Sequence, residues 1–331
     1  MIGRVQPAVE FASEEASPWG ELKLISGNAN PELAREISKE LGIPLTDGGI
    51  TRFSDGEIDV KIHDSMRGHD VFVIQPTCHP VNENLMELFI LLDALRRASA
   101  GRVTAVVPYY GYARKERKSQ PREPISAKLI ANFITLAGAD RVLLLDLHTE
   151  AIEGFFDVPT DHLTARKLLA DYLLGKRLHH PAVVAPDVGA SKRARALANL
   201  LDAPIVFIDK RRTVPGSAEA EVLNVVGEVE GMDCVVVDDM ITTGGTVTSA
   251  VMALKEAGAR RVFVAATHAV LTGPAVERLR AAPVEEVIVT NSIPIPAAKQ
   301  GPPITVLNVA ELLAEAIIRV HENRSVSELF R

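Results

Sequence analysis

The chain has 331 residues, of which 47% are hydrophobic and 24% are charged, and its formal net charge is -7 at pH 7. This length predicts two domains of ordinary size. The negative charge argues against a nucleic-acid or anionic-membrane partner, because either would need a basic face, but it does not exclude phosphate ligands. No apolar run approaches the roughly 20 residues that a membrane helix needs.

The N-terminal segment and the two cysteines bear on the compartment in which the protein works. Residues 1–20 contain Arg4 and several glutamates and lack the apolar centre of a signal peptide, so we expect a mobile extension ahead of the first strand. Cys78 and Cys234 lie in or beside apolar, strand-like stretches. They predict buried free thiols in a reducing cytoplasm, with no disulfide and no cysteine metal site.

Short apolar runs alternate with helical patterns along the chain. The predicted strands are residues 22–26, 70–75, 103–107, 142–145, 182–185, 204–208, 234–237, 262–266 and 286–289. The predicted helices are residues 31–41, 84–98, 127–137, 164–174, 191–201, 246–257 and 309–320. The strands show little polar alternation, which is typical of strands that are covered on both faces. The alternation predicts an α/β fold with a mainly parallel sheet.

A weak internal repeat favours two copies of one α/β unit. Residues 94–103 resemble residues 253–262, and in both segments a helix ends where a strand begins. Many unrelated βαβ units share such a junction, which is the alternative explanation. The expected boundaries are 1–20 for the extension, 21–163 for an N-terminal domain and 164–331 for a C-terminal domain. The last helix could pack on either copy.

The strongest chemical signal is a buried strand that ends in Asp238 and Asp239 and continues through a Thr/Gly turn into a helix. Adjacent carboxylates can accept hydrogen bonds from vicinal ribose hydroxyls or hold a hydrated metal. Glycines let the backbone approach an anion, and the N–H groups at the helix N-terminus can then hold a phosphate. An ordinary βα turn with a capping Thr is the alternative. The turn residues are Thr242, Thr243, Gly244, Gly245 and Thr246.

This segment resembles the phosphoribosyl-diphosphate loop of the type I phosphoribosyltransferase fold, and further segments extend the likeness. They are FSDGE at 53–57, PYYGYAR at 108–114, REPISAK at 122–128, DLH at 146–148, GFFD at 154–157, IDKRR at 208–212 and TNS at 290–292. Together they resemble class I ribose-phosphate pyrophosphokinases, also called phosphoribosyl-diphosphate synthetases, from about Leu22 to the C-terminus. The resemblance implies two phosphoribosyltransferase-type domains, each a mainly parallel sheet flanked by helices, with ATP on the side of the first and ribose 5-phosphate on the side of the second.

The resemblance also implies the reaction. The β,γ-diphosphate of ATP moves to the 1-hydroxyl of ribose 5-phosphate, which gives 5-phosphoribosyl 1-diphosphate and AMP, with Mg²⁺ as cofactor. Asp238 and Asp239 would hold the ribose hydroxyls, and residues 242–246 would hold the 5-phosphate. Thr242 stands where the family usually has Asp, so we expect an altered affinity for the sugar phosphate or the metal.

For ATP, the resemblance implies that Phe53 stacks on adenine while Asp55 and Glu57 read its amino edge, all three supplied by a neighbouring subunit. It implies phosphate contacts at Arg114, followed by Lys115, where the family commonly has Gln. From the residues alone, Phe53 could anchor its loop, the two acids could be surface residues, and the basic run could be a solvated face. A shared site requires a homo-oligomer, built from dimers and expected to be a hexamer.

Four further residues are candidates for metal binding and catalysis. The resemblance gives His148 a role at the metal or the triphosphate, and Asp187 is a similar candidate Mg²⁺ ligand; a structural His and a capping Asp are the alternatives. Lys210 and Arg212 follow a strand and precede a segment rich in Pro, Gly and Ser that we expect to be mobile. The resemblance implies that both close over the triphosphate as catalytic cations. A basic surface loop is the alternative.

Regulation and two rival functions stay open. Ser65 and Arg67 match positions where family members bind an allosteric phosphate or ADP, although a polar surface turn would look the same. A phosphoribosyltransferase would share the 238–246 loop, but it would not need a second domain with Arg114 and an adenine-binding turn. A non-catalytic regulatory homologue should have lost or interrupted the loop cations, which are intact here.

Overall fold

The structure is a computed structural model that describes residues 18–211 and 222–330, which form two compact units. The first unit consists of the described residues up to Thr164, Ser292–Pro294 and the residues from Val309 onward. The second consists of Ala165–Asn291 and Ile295–Asn308. The extension expected over residues 1–20, as far as residue 17, lies outside the described residues, as do Arg212 and residues 213–220. Within the described ranges, no helix is long and apolar enough to cross a membrane.

The first unit is built around a six-stranded sheet. Its elements are β1 (Leu22–Ser26), α1 (Pro31–Leu41), β2 (Leu45–Thr46), β3 (Ile50–Arg52), β4 (Ile58–Val60), β5 (Asp70–Ile74), α2 (Val81–Arg97), β6 (Arg102–Val107), α3 (Ser126–Ala137), β7 (Arg141–Leu145) and β8 (Thr160–Leu163). The strand order is β2-β1-β5-β6-β7-β8, and all neighbours are parallel. β3 and β4 form a separate antiparallel hairpin. Every residue of β5 and β6 is buried, which explains their continuous apolar runs.

The second unit is built around a seven-stranded sheet. Its elements are α4 (Arg166–Gly175), β9 (Pro181–Ala185), α5 (Ser191–Leu201), β10 (Ile205–Arg211), β11 (Val222–Val226), β12 (Asp233–Ile241), α6 (Gly245–Glu256), β13 (Arg261–Ala269), α7 (Ala275–Ala281), β14 (Glu286–Thr290) and β15 (Ile304–Leu307). The order is β11-β10-β9-β12-β13-β14-β15, and only the β10–β11 pair of this sheet is antiparallel. Short 3₁₀ turns lie at Glu150–Phe155, Val188–Ala190, Ala297–Lys299 and Val326–Phe330.

The last helix, α8 (Ala310–His321), follows the second unit in the chain but belongs to the first, where it packs against α1. Asp70 is fully buried and forms a two-pronged ion pair with Arg102, over 2.8 and 2.5 Å. Arg102 also donates to the carbonyl of Val320, and Nδ1 of His321 lies 2.9 Å from Oδ2 of Asp70. The end of α8 is therefore anchored to the first residues of the central strands β5 and β6.

The two sheets share one strand order. β2-β1-β5-β6-β7-β8 corresponds, position by position, to β10-β9-β12-β13-β14-β15. The pair of Asp70 and Arg102 also has a counterpart in Asp233 and Arg261, the first residues of β12 and β13, which form a two-pronged ion pair over 3.2 and 2.6 Å. These likenesses support the internal repeat, which we keep as a proposal.

The strands and helices predicted from the sequence are all present, and β1, α1 and α5 have the predicted bounds. Helices cover both faces of the second sheet, with α6 and α7 in one core cluster and α4 and α5 in another. Three predicted strands end too early. β13, predicted over residues 262–266, continues to Ala269 beside β12. β10 continues to Arg211 because its end pairs with β11, and β12 continues through the two acids to Ile241 beside β13. The prediction missed the short strands β2, β3, β4, β8, β11 and β15 and the short helix α7, which lack long apolar runs.

Candidate functional site

The loop that follows β12 is shaped by its glycines and held by hydrogen bonds from α7 and from the segment before it. Gly244 has φ +75°, in the left-handed region, and stands at the N-cap of α6. The N–H of Thr272 donates to the carbonyl of Thr242, and Arg278 donates to the carbonyl of Thr243 over 3.1 Å. Because α6 begins at Gly245, the N–H groups of its first turn have no acceptor within the helix. The arrangement suits an anion at this helix N-terminus.

The two carboxylates lie near the end of β12, immediately before this loop. The side chain of Asp238 is 21% exposed and that of Asp239 is 3% exposed. The backbone N–H of Asp239 donates to Oδ1 of Asp238 over 2.8 Å. Burial, together with the neighbouring Asp239, raises the pKa of Asp238 above its usual range, and the guanidinium of Arg193 opposes that shift. The two carboxyl groups therefore offer several acceptor oxygens, and hydrogen-bond donors from a ligand would stabilise their charged form.

The turn between β9 and α5 contains Asp187. Its Oδ1 accepts a hydrogen bond from the backbone N–H of Ala190 over 3.1 Å, which caps the 3₁₀ turn Val188–Ala190. Asp187 is only partly buried, so a carboxylate at this strand end is accessible. The capping contact uses one of its two oxygens, and a role as a metal ligand stays a prediction.

No resident metal cage exists in the described part of the chain. Over residues 18–211 and 222–330, no group of three or more His, Cys, Asp or Glu side chains is arranged to hold a metal. Mg²⁺ usually keeps several waters and is bound by one or two carboxylates together with substrate phosphates. A partly exposed carboxylate such as that of Asp187 fits that kind of binding, in which the nucleotide supplies the other ligands.

Of the two candidate catalytic cations, Lys210 lies near the end of β10. Lys210 does not follow the strand, as the sequence suggested, but lies within it and pairs in register with Leu223 of β11. Its side chain is not described, and Arg212 lies outside the described residues. Both catalytic assignments stay predictions.

In the first unit, the β3–β4 hairpin carries the candidate adenine-binding residues. The N–H of Phe53 donates to the carbonyl of Glu57, and the N–H of Glu57 donates to Oδ1 of Asp55, so the turn is held by its own hydrogen bonds. Phe53 is nevertheless 55% exposed, and both acids are exposed. A ring exposed to this extent can contact a ligand, and the role of Phe53 stays a prediction.

The basic run after β6 is exposed and only partly paired. Lys115 forms an ion pair with Glu123 over 3.2 Å, whereas no ion pair is found for Arg114 among the described residues. Contact of Lys115 with a phosphate would therefore compete with Glu123, while Arg114 would not have to break an ion pair seen here.

The strand end after β7 has an unusual backbone. Asp146 has φ +39°, in the left-handed region that non-glycine residues rarely adopt, and its N–H donates to the carbonyl of Leu163. His148 follows two residues later and is partly buried. Unusual backbone conformations are common at functional sites, so this geometry is compatible with a functional role for His148. What His148 binds stays a prediction.

The candidate allosteric residues Ser65 and Arg67 are both exposed, and the buried Met66 lies between them. Arg67 forms an isolated backbone bridge with Ala100. This geometry is compatible with an anion site and with a polar surface turn, so the assignment stays a prediction.

Comparison with known proteins decides the family. Residues 22–138 match the model described as the N-terminal domain of ribose phosphate pyrophosphokinase, and residues 202–331 match the phosphoribosyl synthetase-associated domain. The chain is 54% identical over 310 residues to ribose-phosphate pyrophosphokinase 1 of Listeria monocytogenes, which covers 93% of this chain and 97% of that protein. This chain belongs to the ribose-phosphate pyrophosphokinase family.

Other proteins of the ribose-phosphate pyrophosphokinase family are similarly close. The protein from Nostoc sp. is 55% identical over 311 residues, which cover 94% of each chain. The crystal structure of phosphoribosylpyrophosphate synthetase from Mycobacterium smegmatis matches with a TM-score of 0.87 at 46% identity, over 92% of this chain and 99% of that one. The family resemblance and the α/β fold inferred from the motifs are both confirmed.

The family motifs do not single out Arg193, which the fold brings to the acidic pair. Its Nη1 lies 3.4 Å from Oδ1 of Asp238, and its Nη2 lies 3.6 Å from Oδ1 of Asp239. The signal in the sequence is a cation in the first turn of the helix that follows Asp187, at the carboxyl edge of the same parallel sheet. That signal is weak, because the acids that Arg193 meets lie on β12. β12 is the neighbour of β9 in the sheet but comes more than forty residues later in the chain.

Proposed function

We propose that the chain transfers the β,γ-diphosphate of ATP to the 1-hydroxyl of ribose 5-phosphate, forming 5-phosphoribosyl 1-diphosphate and AMP. The observation that carries the proposal is the β12–α6 segment, where paired carboxylates are followed by a helix N-terminus with unused N–H groups. Ribose 5-phosphate offers the matching groups, vicinal hydroxyls and a phosphate. Membership of the pyrophosphokinase family supports ATP as the second substrate.

In this proposal, Asp238 and Asp239 accept hydrogen bonds from the ribose hydroxyls. Residues 242–246 bind the 5-phosphate through backbone N–H groups and threonine hydroxyls. The sugar would then be held both at its ring hydroxyls and at its 5-phosphate, and this would fix the direction of its 1-hydroxyl. Such positioning supplies much of the rate enhancement in phosphoryl-type transfers, because little covalent chemistry is left for the protein.

ATP is placed by residues of the first unit. Phe53 stacks on the adenine, Asp55 and Glu57 read its amino edge, and Arg114 with Lys115 contacts the phosphates. The exposure of the Phe53 ring supports this role, because an isolated exposed aromatic residue gains most by burial against another surface. The absence of an ion pair for Arg114 among the described residues supports a phosphate contact there.

Charge that develops at the β-phosphorus is balanced by Lys210 and Arg212. The ammonium of Lys210 is a compact point charge, and Arg212 adds a planar fork that suits phosphate oxygens. Lys210 lies near the end of β10, beside the edge strand β11, and this position supports a role at the rim of the site. Both cations then stabilise the transition state more than the bound substrates.

Mg²⁺ would be held by the triphosphate together with His148 or Asp187, and it would neutralise charge on the transferring diphosphate. The protein contributes the orientation of those side chains. Asp187 is oriented by its own capping hydrogen bond to Ala190, which leaves its second oxygen for a ligand. His148 follows the left-handed turn at Asp146, which shapes the chain after β7.

The ATP site is shared between subunits of a homo-oligomer built from dimers, with a hexamer as the expected assembly. An apolar row on the first unit supports association with a second copy of the chain. It runs along α3 and the residue before it at helical spacing, through Ile125 (38% exposed), Leu129 (48%), Phe133 (42%) and Leu136 (75%). Contiguous exposed apolar residues of this kind mark protein–protein interfaces.

Regulation and location follow as lesser parts of the proposal. Ser65 and Arg67 bind phosphate or ADP as an allosteric anion.

The protein works in the cytoplasm, and the two buried free thiols support this location. Burial raises the pKa of Cys78 and of Cys234 to about 11, so both thiols stay protonated and unreactive.

Incubation of the purified protein with ATP, Mg²⁺ and ribose 5-phosphate tests the reaction. We expect AMP and 5-phosphoribosyl 1-diphosphate to appear in equal amounts, and the Lys210→Ala protein to release far less of both. A phosphoribosyltransferase would release no AMP under these conditions, and a non-catalytic homologue would release neither product. Either result would refute the proposal.

A further inference from the structure

The acidic pair on β12 raises a problem of charge. Asp238 and Asp239 are consecutive, the second is almost fully buried, and both must be ionised to accept hydrogen bonds from hydroxyls with every oxygen. Two adjacent carboxylates in a partly desolvated site repel each other, and one of them then tends to keep a proton. A protonated carboxyl has fewer acceptor positions and can turn its O–H toward its neighbour. A nearby cation opposes this and makes the proton easier to lose when ribose hydroxyls bind.

Arg193 is placed to supply that charge. It lies in the first turn of α5, and its side chain is 22% exposed. The position is fixed by packing, because the next residue, Ala194, and Leu197 are buried in the core cluster on that face of the sheet. One guanidinium nitrogen lies near each acid, at 3.4 Å from Asp238 and 3.6 Å from Asp239.

We propose that Arg193 is a positioning residue for the sugar site: it offsets part of the repulsion between the Asp238 and Asp239 carboxylates and turns them toward the hydroxyls of ribose 5-phosphate. This inference rests on the proposed function. The distances favour it, because contacts of 3.4 and 3.6 Å are long, and each carboxylate oxygen has two lone pairs and can accept more than one hydrogen bond. Ribose hydroxyls can therefore still bind to the same carboxylates.

The position of Arg193 also links two parts of the site. The turn that contains Asp187 leads directly into α5, so the candidate metal ligand and the cation that faces the acidic pair belong to one short segment. A shift of this segment would move Arg193 relative to both acids. Because Arg193 faces both acids, loss of its guanidinium should weaken the binding of ribose 5-phosphate. ATP binding at the hairpin of the first unit should not change.

The test compares Arg193→Ala with Arg193→Lys, and uses Arg195→Ala as the matched control. Arg195 lies two residues further along the same helix, is exposed, and is not part of the site. Calorimetry with ribose 5-phosphate alone should show affinity lowered on the order of 10–100-fold in Arg193→Ala, the effect of losing one charged contact. Arg193→Lys should recover part of the loss, and Arg195→Ala should bind like the unaltered protein.

Kinetics separates positioning from a general structural defect. We expect the KM for ribose 5-phosphate to rise in Arg193→Ala while the KM for ATP changes little, with partial recovery in Arg193→Lys. If Arg193→Ala does not fold, Arg193→Gln replaces it, and Arg193→Lys should bind the sugar phosphate more tightly than Arg193→Gln. Unchanged affinity in the neutral variants, or an equal loss in Arg195→Ala, would overturn the inference. Failure of the unaltered protein to release AMP would instead refute the proposed reaction, because the calorimetry does not depend on turnover.

Discussion

Gly245 gives the sharpest test of the phosphate-binding loop. It is the first residue of α6, and a Cβ built there would meet Nη1 of Arg278 at 3.6 Å and Oγ1 of Thr243 at 3.8 Å. These are ordinary van der Waals separations, and the backbone at Gly245 is not in the left-handed region. Gly244 differs, because its φ of +75° would strain any side chain. Gly245→Val should therefore fold normally while its side chain occupies the space through which a phosphate approaches the backbone.

The size of the effect follows from the contacts that are lost. A charge-assisted hydrogen bond contributes about 1.5–3 kcal/mol, so the loss of one backbone contact to the 5-phosphate weakens binding on the order of 10–100-fold. The free energy of unfolding should change by less than about 1 kcal/mol, since no buried contact is broken. Gly245→Ala adds only a methyl group, so its affinity for ribose 5-phosphate should lie between those of the unaltered protein and Gly245→Val.

Calorimetry with ribose 5-phosphate and, separately, with ATP measures both halves of this prediction, and thermal melting checks the fold. Gly175→Val is the matched control, because a Cβ at the end of α4 has no atom within 4 Å and the residue is outside the proposed site. We expect Gly245→Val to lose sugar-phosphate affinity alone and Gly175→Val to lose neither. If Gly245→Val binds ribose 5-phosphate as tightly as the control, the loop does not hold the phosphate.

Three further predictions concern catalysis, assembly and pH. Lys210→Ala should lower kcat by roughly 10²–10³ with much smaller changes in KM and melting temperature, and a near-normal kcat would return this residue to the status of basic surface. Mixing inactive Asp55→Ala and Asp239→Ala proteins should restore some activity through sites built from two intact halves, whereas no recovery after proven subunit exchange would mean that each subunit builds its site alone. Because burial and Asp239 raise the pKa of Asp238, the free pair retains a proton that must leave when ribose hydroxyls bind, so affinity should fall as the pH drops below that raised pKa. Calorimetric heats at neutral pH in buffers of different ionisation enthalpy should then reveal proton release, and identical heats would contradict it.

The candidate site was only partly visible in the sequence. The strand, the acidic pair and the Thr/Gly turn are contiguous, so their chemistry could be inferred before any contact was known. The extension of β12 to Ile241 was not inferred, because it depends on pairing with β13. A capping role for Asp187 was one of the alternatives that the sequence offered, and the structure shows that bond. The approach of Arg193 to the acids was missed, since it depends on the geometry of the turn between β9 and α5.

The sequence by itself determined the alternation of buried strands and helices, because long apolar runs and helical periodicity are local properties of the chain. β1, α1 and α5 were predicted to the residue for this reason. The tertiary structure alone decided features that join distant segments. It pairs the short edge strands β2 and β15 with their neighbours, and it brings His321 to Asp70 at the amino end of β5. A buried carboxylate needs partners wherever the chain can supply them, and only packing decides which distant residues arrive there.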